Sequence, residues 1–165
     1  PQGCPIWMGG AVPPAVERAA HMGDAWLASF TTDPDGMRGL FDTYRAALPP
    51  GKKPEMPICR ECFVGASDMD ALDKCRETLI DKYAAYASWD NNHVAAERPF
   101  AERFDEFRKD RFLIGDVARM KDEVARYREE LGVTTMLLRM NWPGTDFEDS
   151  LASIKRFEAV AAAFA

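Results

Sequence analysis

Histidine is scarce in this sequence, with only His21 and His93 among 165 residues. The two are not at metal-ligand spacing and neither has a visible acid/base partner, so neither is a candidate catalytic base. Cysteine is also sparse: Cys4, Cys59, Cys62 and Cys75. Cys59 and Cys62 form a CxxC, but no second CxxC accompanies it, which argues against a zinc site. Residues 58–64 around them read as a strand, where an odd spacing of three places the two sulfurs on opposite faces. Reduced, structural thiols are therefore expected, and with them a cytoplasmic location and no metal. Positive charge is in deficit, with 21 basic against 27 acidic residues and a net charge of −6. Such a surface repels phosphate backbones, and no basic stripe appears, so nucleic acid is not an expected partner. No apolar run is long enough to cross a bilayer as a helix, and no membrane partner is expected. A signal-peptide pattern is missing too, and the chain opens with Pro1 rather than Met, which reads as a truncated or processed product.

What remains is an ordinary globular composition, 47% apolar and 29% charged, in a chain long enough for one domain with a core. Along it, short apolar runs alternate with amphipathic segments. Residues 6–8 form an apolar run closed by Gly9 and Gly10, and Pro13 and Pro14 suit the first turn of a helix, where a missing N–H costs nothing. That helix is expected to reach Met22 and stop at Gly23 as a left-handed cap. Residues 25–30 are the next strand. Pro34 opens a second helix carrying Met37, Leu40, Phe41, Tyr44 and Leu48 on one face, ended by Pro49, Pro50 and Gly51. After the strand at 58–64, Ser67 and Asp70 resemble a capping box. Met69, Leu72, Cys75, Leu79, Tyr83 and Tyr86 then keep helical spacing.

Residues 87–111 break this rhythm. They are polar around Trp89 and then place Phe100, Phe104 and Phe107 on one face of a short helix, a variable insertion expected to cover one end of the fold. Regularity returns at Gly115, with a helix over 116–131 striped by Val117, Met120, Val124, Tyr127 and Leu131 and capped by Gly132. Residues 134–140 read as a strand, a turn follows at Trp142, Pro143 and Gly144, and Thr145 with Glu148 resembles another capping box. The last helix carries Phe147, Leu151, Ile154, Phe157, Val160 and Phe164. Four strands, each followed by a helix, imply an α/β fold of parallel βα units with right-handed crossovers. A small doubly wound sheet and half of a (β/α)8 barrel both satisfy this pattern; a complete barrel needs about 250 residues.

Several segments carry a resemblance. Pro5-Ile6-Trp7-Met8-Gly9-Gly10, then residues 15–20 and Gly23-Asp24-Ala25-Trp26-Leu27, look like the luciferase-like, flavin-dependent monooxygenases, with Ala25 where members of that family usually have glycine. Residues 60–64, 112–116, 130–139, 142–144 and 153–157 continue the likeness in family order, nearly end to end. The resemblance implies a TIM-type barrel of which this chain, as a single domain over 1–165, is the latter half. It implies FMN, reduced flavin or the deazaflavin F420 as cofactor, and a missing N-terminal half that holds several of the family's substrate and catalytic positions.

The candidate site residues follow. The turn Gly9, Gly10, Ala11 and Val12 leads from a strand to a helix N-terminus, which presents free N–H groups and a positive dipole end. Family similarity implies that the flavin phosphate sits there; a tight βα turn with no ligand is the other reading, and Pro13 and Pro14 remove two donors. Arg60 and Cys62 share one strand face, with Glu61 and Phe63 on the other. Arg60, which the resemblance places at the active-site end, is a candidate catalytic group that binds an anionic substrate group or steadies a flavin peroxide; the other reading is the partner of a glutamate within the fold. Cys62 is read as packing. Arg139, at the end of the last strand, lies where TIM-type enzymes place functional groups. Trp142 follows as a candidate cover for a ring-shaped cofactor; a structural role is equally open for both.

The resulting expectation is an oxidoreductase that inserts oxygen into a small organic substrate using reduced flavin, with electrons from NAD(P)H or a separate flavin reductase. The protein's part is to hold the flavin, exclude water and place the substrate. Apolar edges left by a missing half are expected to be covered by an N-terminal segment or by homo-oligomerisation. One alternative is an F420-dependent hydride-transfer oxidoreductase of the same fold. The other is a non-catalytic truncated module that binds flavin or a partner chain.

Overall fold

The structure is a computed structural model that describes residues 3–30, 32–89 and 98–165. Its elements alternate in chain order: β1 (Trp7–Gly9), α1 (Pro13–Met22), β2 (Ala25–Leu27), α2 (Pro34–Ala47), β3 (Pro57–Val64), α3 (Asp68–Ser88), α4 (Phe100–Arg111), β4 (Phe112–Gly115), α5 (Val117–Leu131), β5 (Thr135–Arg139) and α6 (Phe147–Ala161). The described residues thus hold five strands rather than four. The extra one, β4, is a four-residue apolar run that sequence periodicity cannot separate from a helix end. None of the helices in the described residues is long and apolar enough to cross a membrane.

Two compact units divide the chain, one comprising residues 1–59 and 126–137, the other 60–125 and 138–165. In the first, β1 pairs in parallel with β2, Trp7 opposite Ala25 and Gly9 opposite Leu27. A parallel bridge joins Ala28 to Ile58. Helix α1 buries Val16, Ala19 and Ala20, and α2 buries Met37, Phe41 and Tyr44. Trp26 meets Phe41 edge-on at 5.2 Å and Tyr44 at 6.2 Å, giving this unit an aromatic core. Asp33 caps α2 by accepting from the Gly36 amide, ahead of Pro34 in the first turn.

Gly23 ends α1, but with φ −99° and ψ 172° it is extended, not left-handed. Crowding explains the glycine: a Cβ there would lie 3.0 Å from Met8 and 3.1 Å from the Ala19 carbonyl oxygen. Gly132, by contrast, is the expected left-handed cap, with φ +70° and its N–H donating to the Arg128 carbonyl.

In the second unit, Glu61–Val64 of β3 pair in parallel with Phe112–Gly115 of β4, within the strand order β4-β3-β5. The parallel pairing of β1 with β2, of β3 with β4 and of Ala28 with Ile58 bears out the expected βα architecture. Ser67 caps α3 through the Asp70 amide, as its spacing predicts, and the Asp70 carboxylate reaches back to the Ala66 amide. The buried face of α3 is Ala71, Cys75, Leu79 and Tyr83, whereas Met69 is exposed. The three phenylalanines of α4 are buried as expected, and Phe100 stacks on Tyr83 with centroids 4.7 Å apart. The part of the expected insertion at 90–97, including His93, lies outside the described residues.

Helix α6 departs from expectation twice. Its N-cap is Asp146, which accepts from the Asp149 amide, so the cap falls one residue after Thr145. Thr145 instead closes the preceding turn, donating its hydroxyl to the Trp142 carbonyl at 2.6 Å. Its buried residues are Ser150, Ser153 and Val160, while Phe147 and Ile154 are 70% and 47% exposed. Two serines face inward because the backbone there needs donors and acceptors: Ser153 Oγ accepts from the buried Val64 amide at 2.7 Å.

Candidate functional site

The Gly9–Val12 turn forms as the sequence predicts. Strand β1 ends at Gly9, and Val12, extended at φ −131° and ψ 148°, precedes Pro13 and Pro14 at the start of α1. The Val12 carbonyl accepts from the Ala15 and Val16 amides, so the first turn satisfies its own later donors. No hydrogen bond within the described residues engages the Ala11 and Val12 amides, and Val12 is 56% exposed. The turn therefore offers two open N–H groups at the positive end of a ten-residue helix.

Its two glycines do different work. A Cβ on Gly10 would lie 2.6 Å from the Ala15 Cβ, so Gly10 is required by the close approach of α1 itself. The Gly10 carbonyl also accepts from the Trp26 indole at 2.9 Å, tying the turn to the aromatic core. Gly9 is open: a Cβ there would meet only the Leu27 carbonyl oxygen at 4.0 Å. Close approach of an outside group to this turn is thus available at Gly9 and not at Gly10.

The other candidates lie in the second unit. Glu61 and Phe63, two positions apart on β3, meet Lys82 and Tyr83 of α3 and Trp142 of the β5–α6 loop respectively. Arg60, on the other face, is fully buried, as is Cys62. Cys59 is half-buried and all four thiols are free, in keeping with opposite faces for the CxxC. Burial pushes the Cys62 and Cys75 thiols up to about 12, so neither supplies a thiolate at neutral pH.

Arg139 meets Glu61. Its Nη2 lies 2.6 Å from Glu61 Oε1, and that same oxygen accepts from Lys82 Nζ at 2.9 Å and from the Tyr83 hydroxyl at 3.2 Å. Glu61 is completely buried, and its Oε2 has no hydrogen-bond partner among the described residues. Burial first, then the Glu61 charge, drives the Tyr83 phenol far above its ordinary value, which keeps it a donor. One buried carboxylate thus gathers two cations and a phenol. Glu61, Lys82 and Tyr83 are not among the site residues that the sequence singles out; the available signal is a carboxylate, next to Arg60, in the middle of a strand whose other residues are apolar or cysteine.

Trp142 is 4% exposed, its indole donates to Thr78 Oγ1 at 2.9 Å, and its ring lies 6.4 Å from Phe63 and 5.5 Å from Lys82 Nζ. Its ring and its N–H are thus engaged by its own unit. His21 is exposed, with Nδ1 2.8 Å from the Glu17 carbonyl oxygen. Groups of three or more His, Cys, Asp or Glu residues that could hold a metal are absent among the described residues.

The sequence profile described as luciferase-like monooxygenase matches residues 1–135. No curated protein matches the chain. Among solved structures, the monooxygenase RslO1 from Streptomyces bottropensis superposes with a TM-score of 0.70 at 19% identity, over 96% of this chain and 48% of that one. The oxygenating constituent of 3,6-diketocamphane monooxygenase from Pseudomonas putida, a type II Baeyer-Villiger monooxygenase in complex with FMN, gives 0.63 at 16% identity, over 93% and 45%. An F420-dependent secondary alcohol dehydrogenase, in complex with an F420-acetone adduct, gives 0.62 at 15% identity, over 96% and 49%. The chain spans about half the length of each of these structures. At these identities the likeness establishes fold: parallel βα units amounting to about half of a TIM-type barrel.

Proposed function

Because the chain belongs to the luciferase-like monooxygenase family, we propose that it forms the flavin-holding portion of an oxidoreductase that oxygenates a small organic substrate. The observation that carries this is the Gly9–Val12 turn, which sits inside the matched segment and leaves the Ala11 and Val12 amides open at a helix N-terminus. These residues fit an anionic cofactor tail: Ala11 and Val12 would donate to a phosphate, with Gly9 leaving room for it. Pro13 and Pro14 contribute no donors, so the hold is light. A bound flavin would supply the redox and oxygen-transfer chemistry; the chain's own residues would anchor and orient it.

Fit is poor for the remaining candidates as direct contacts. Arg60 is buried, Arg139 is paired with Glu61, and Trp142 is enclosed. We assign Arg139 and Trp142 a positioning role, holding the β5–α6 connection against α3, and place substrate contacts outside these residues. The chain's share of about half of its structural relatives supports a further N-terminal portion or a second copy as partner. The exposed Phe147 and Ile154 support the same reading. A separate flavin reductase as electron source belongs to this proposal too. The F420-dependent relative favours hydride transfer with F420 as a second reading.

The test is a titration of the chain with FMN and with riboflavin, which lacks the phosphate, followed by flavin fluorescence. FMN should bind the more tightly, and Gly9→Asp should weaken FMN while leaving riboflavin unchanged, since it adds a negative charge beside the proposed phosphate position at a place with room for the side chain. Equal binding of the two flavins, or no response to Gly9→Asp, refutes the anchor. Retention of F420 in preference to FMN, read by its absorbance, decides for the second reading.

A further inference from the structure

The C-terminal end of α3 carries a cavity within the second unit. It has a volume of about 490 Å³ and is lined by Asp81, Lys82, Ala85, Tyr86, Trp89 and Pro143. That size lies within the range of small-molecule sites. Tyr86 and Trp89 stand one helical turn apart, with ring centroids 5.6 Å apart and planes inclined at 47°. Trp89 is 72% exposed, an unusual position for the largest apolar side chain, and its ring borders the cavity.

The charges around the cavity say what it would accept. Lys82 is 8% exposed, and its ammonium is committed to Glu61 at 2.9 Å, lying also 5.8 Å from the Tyr86 ring centroid and 5.5 Å from that of Trp142. It is therefore a wall of the cavity and not a free cation for an anionic ligand. Asp81 is exposed and forms no ion pair within the described residues, so its carboxylate is available as a hydrogen-bond acceptor. Aromatic faces, a proline and one acceptor favour a flat, uncharged ring bearing a donor; an anion would meet Asp81 without a compensating cation.

We propose that this cavity binds a small, uncharged, hydroxylated aromatic molecule, its ring against Trp89 and Tyr86 and its hydroxyl donating to Asp81. The site is independent of the flavin anchor and stands or falls separately from it. Its test uses 1-naphthol as probe, titrated into the whole chain below pH 8 and followed by calorimetry and by the Trp89 indole N–H signal in two-dimensional NMR. Saturable binding that shifts this signal is expected, weakened about tenfold by Trp89→Ala through loss of one ring contact. Asp81→Asn should weaken it several-fold. Trp89 is exposed, so the Trp89→Ala chain should keep its far-UV circular dichroism and melting temperature. Unchanged affinity in Trp89→Ala overturns the proposal, as does tighter binding of naphthalene-1-sulfonate than of 1-naphthol. A wild-type dimer in sedimentation that Trp89→Ala dissociates would overturn it as well, by assigning the rings to a contact between copies.

Discussion

Gly10→Ala is the sharpest test of how the Gly9–Val12 turn is built. The added methyl would sit 2.6 Å from the Ala15 Cβ, with the Ala15 backbone carbon at 3.6 Å. Carbon atoms in contact need about 3.5–4.0 Å, so α1 must retreat by roughly 1 Å or the turn must open. Val16, Ala19 and Ala20 are fully buried on that helix, which leaves little room to retreat. Overpacking of this kind costs about 1–3 kcal/mol. For a chain of this size that lowers the melting temperature by roughly 2–12 °C. Gly9→Ala is the control: its methyl meets only an oxygen at 4.0 Å, and Gly9 is not among the positive-φ glycines, so stability should move by less than about 0.5 kcal/mol. Ala15→Gly supplies the rescue. Alone it should cost up to about 1 kcal/mol as a helix glycine, yet in the Gly10→Ala background it removes the clashing partner and should restore stability. Urea unfolding of the four variants, followed by far-UV circular dichroism, reads this directly. Gly10→Ala as stable as Gly9→Ala, or an Ala15→Gly that merely adds its own penalty, would refute the close approach.

Three further outcomes are expected. Glu61→Ala removes the buried carboxylate that Lys82 and Arg139 share and should cost about 3–5 kcal/mol in urea unfolding; pairing it with Lys82→Met should cost less than the sum of the two single changes, and strict additivity would break the cluster argument. With a chromogenic disulfide reagent at pH 8, the exposed Cys4 and half-buried Cys59 should react quickly, and Cys62 and Cys75 only as the fold opens. Four equal rates without denaturant would contradict their burial. Asp70 is held below its ordinary value, first by the Ala66 N–H and then by Lys74, so its stabilisation is present above about pH 3.9 and is lost as pH falls through the lower folded value. Asp70→Asn should flatten the fall of melting temperature with acid in that window, and an unchanged acid limb would remove this role.

Periodicity alone located most of the helices and their buried faces, because a helix that hides one side must repeat its apolar residues at three and four. It could not assign phase where two stripes compete. On α6, Phe147, Leu151 and Ile154 form one stripe, and Ser150, Ser153, Phe157 and Val160 form another rotated by roughly a quarter turn. Hydropathy draws the face through both, from Phe147, Leu151 and Ile154 to Phe157 and Val160; the fold buries Val160 as expected but turns Ser150 and Ser153 inward in place of the first stripe, since Ser153 satisfies the Val64 amide and small side chains admit a close helix. Strand β4 escaped for a related reason: four apolar residues directly after a helix carry no period of their own. Thr145 and Asp146 are adjacent cap formers, and only the hydrogen bond to the Asp149 amide separates them.

The site divides along the same line. Gly9 to Val12 was legible because a local device, strand, paired glycines and prolines at a helix start, dictates its own geometry. Arg139 and Trp142 were legible as special residues but not in their roles, since those depend on Glu61, Lys82 and Thr78, all more than 50 positions away, although the sequence does carry one link. That link is charge in the wrong place. A glutamate at the centre of Ile58–Val64 cannot be buried unless cations reach it, so its presence demands basic partners from neighbouring elements. Arg139, the one charged residue of β5, and Lys82 on α3 are those partners. An arginine that answers such a demand is spoken for by the fold, which is why the anion-binding part of the proposed function rests on bare amides at Ala11 and Val12 instead of on the arginines.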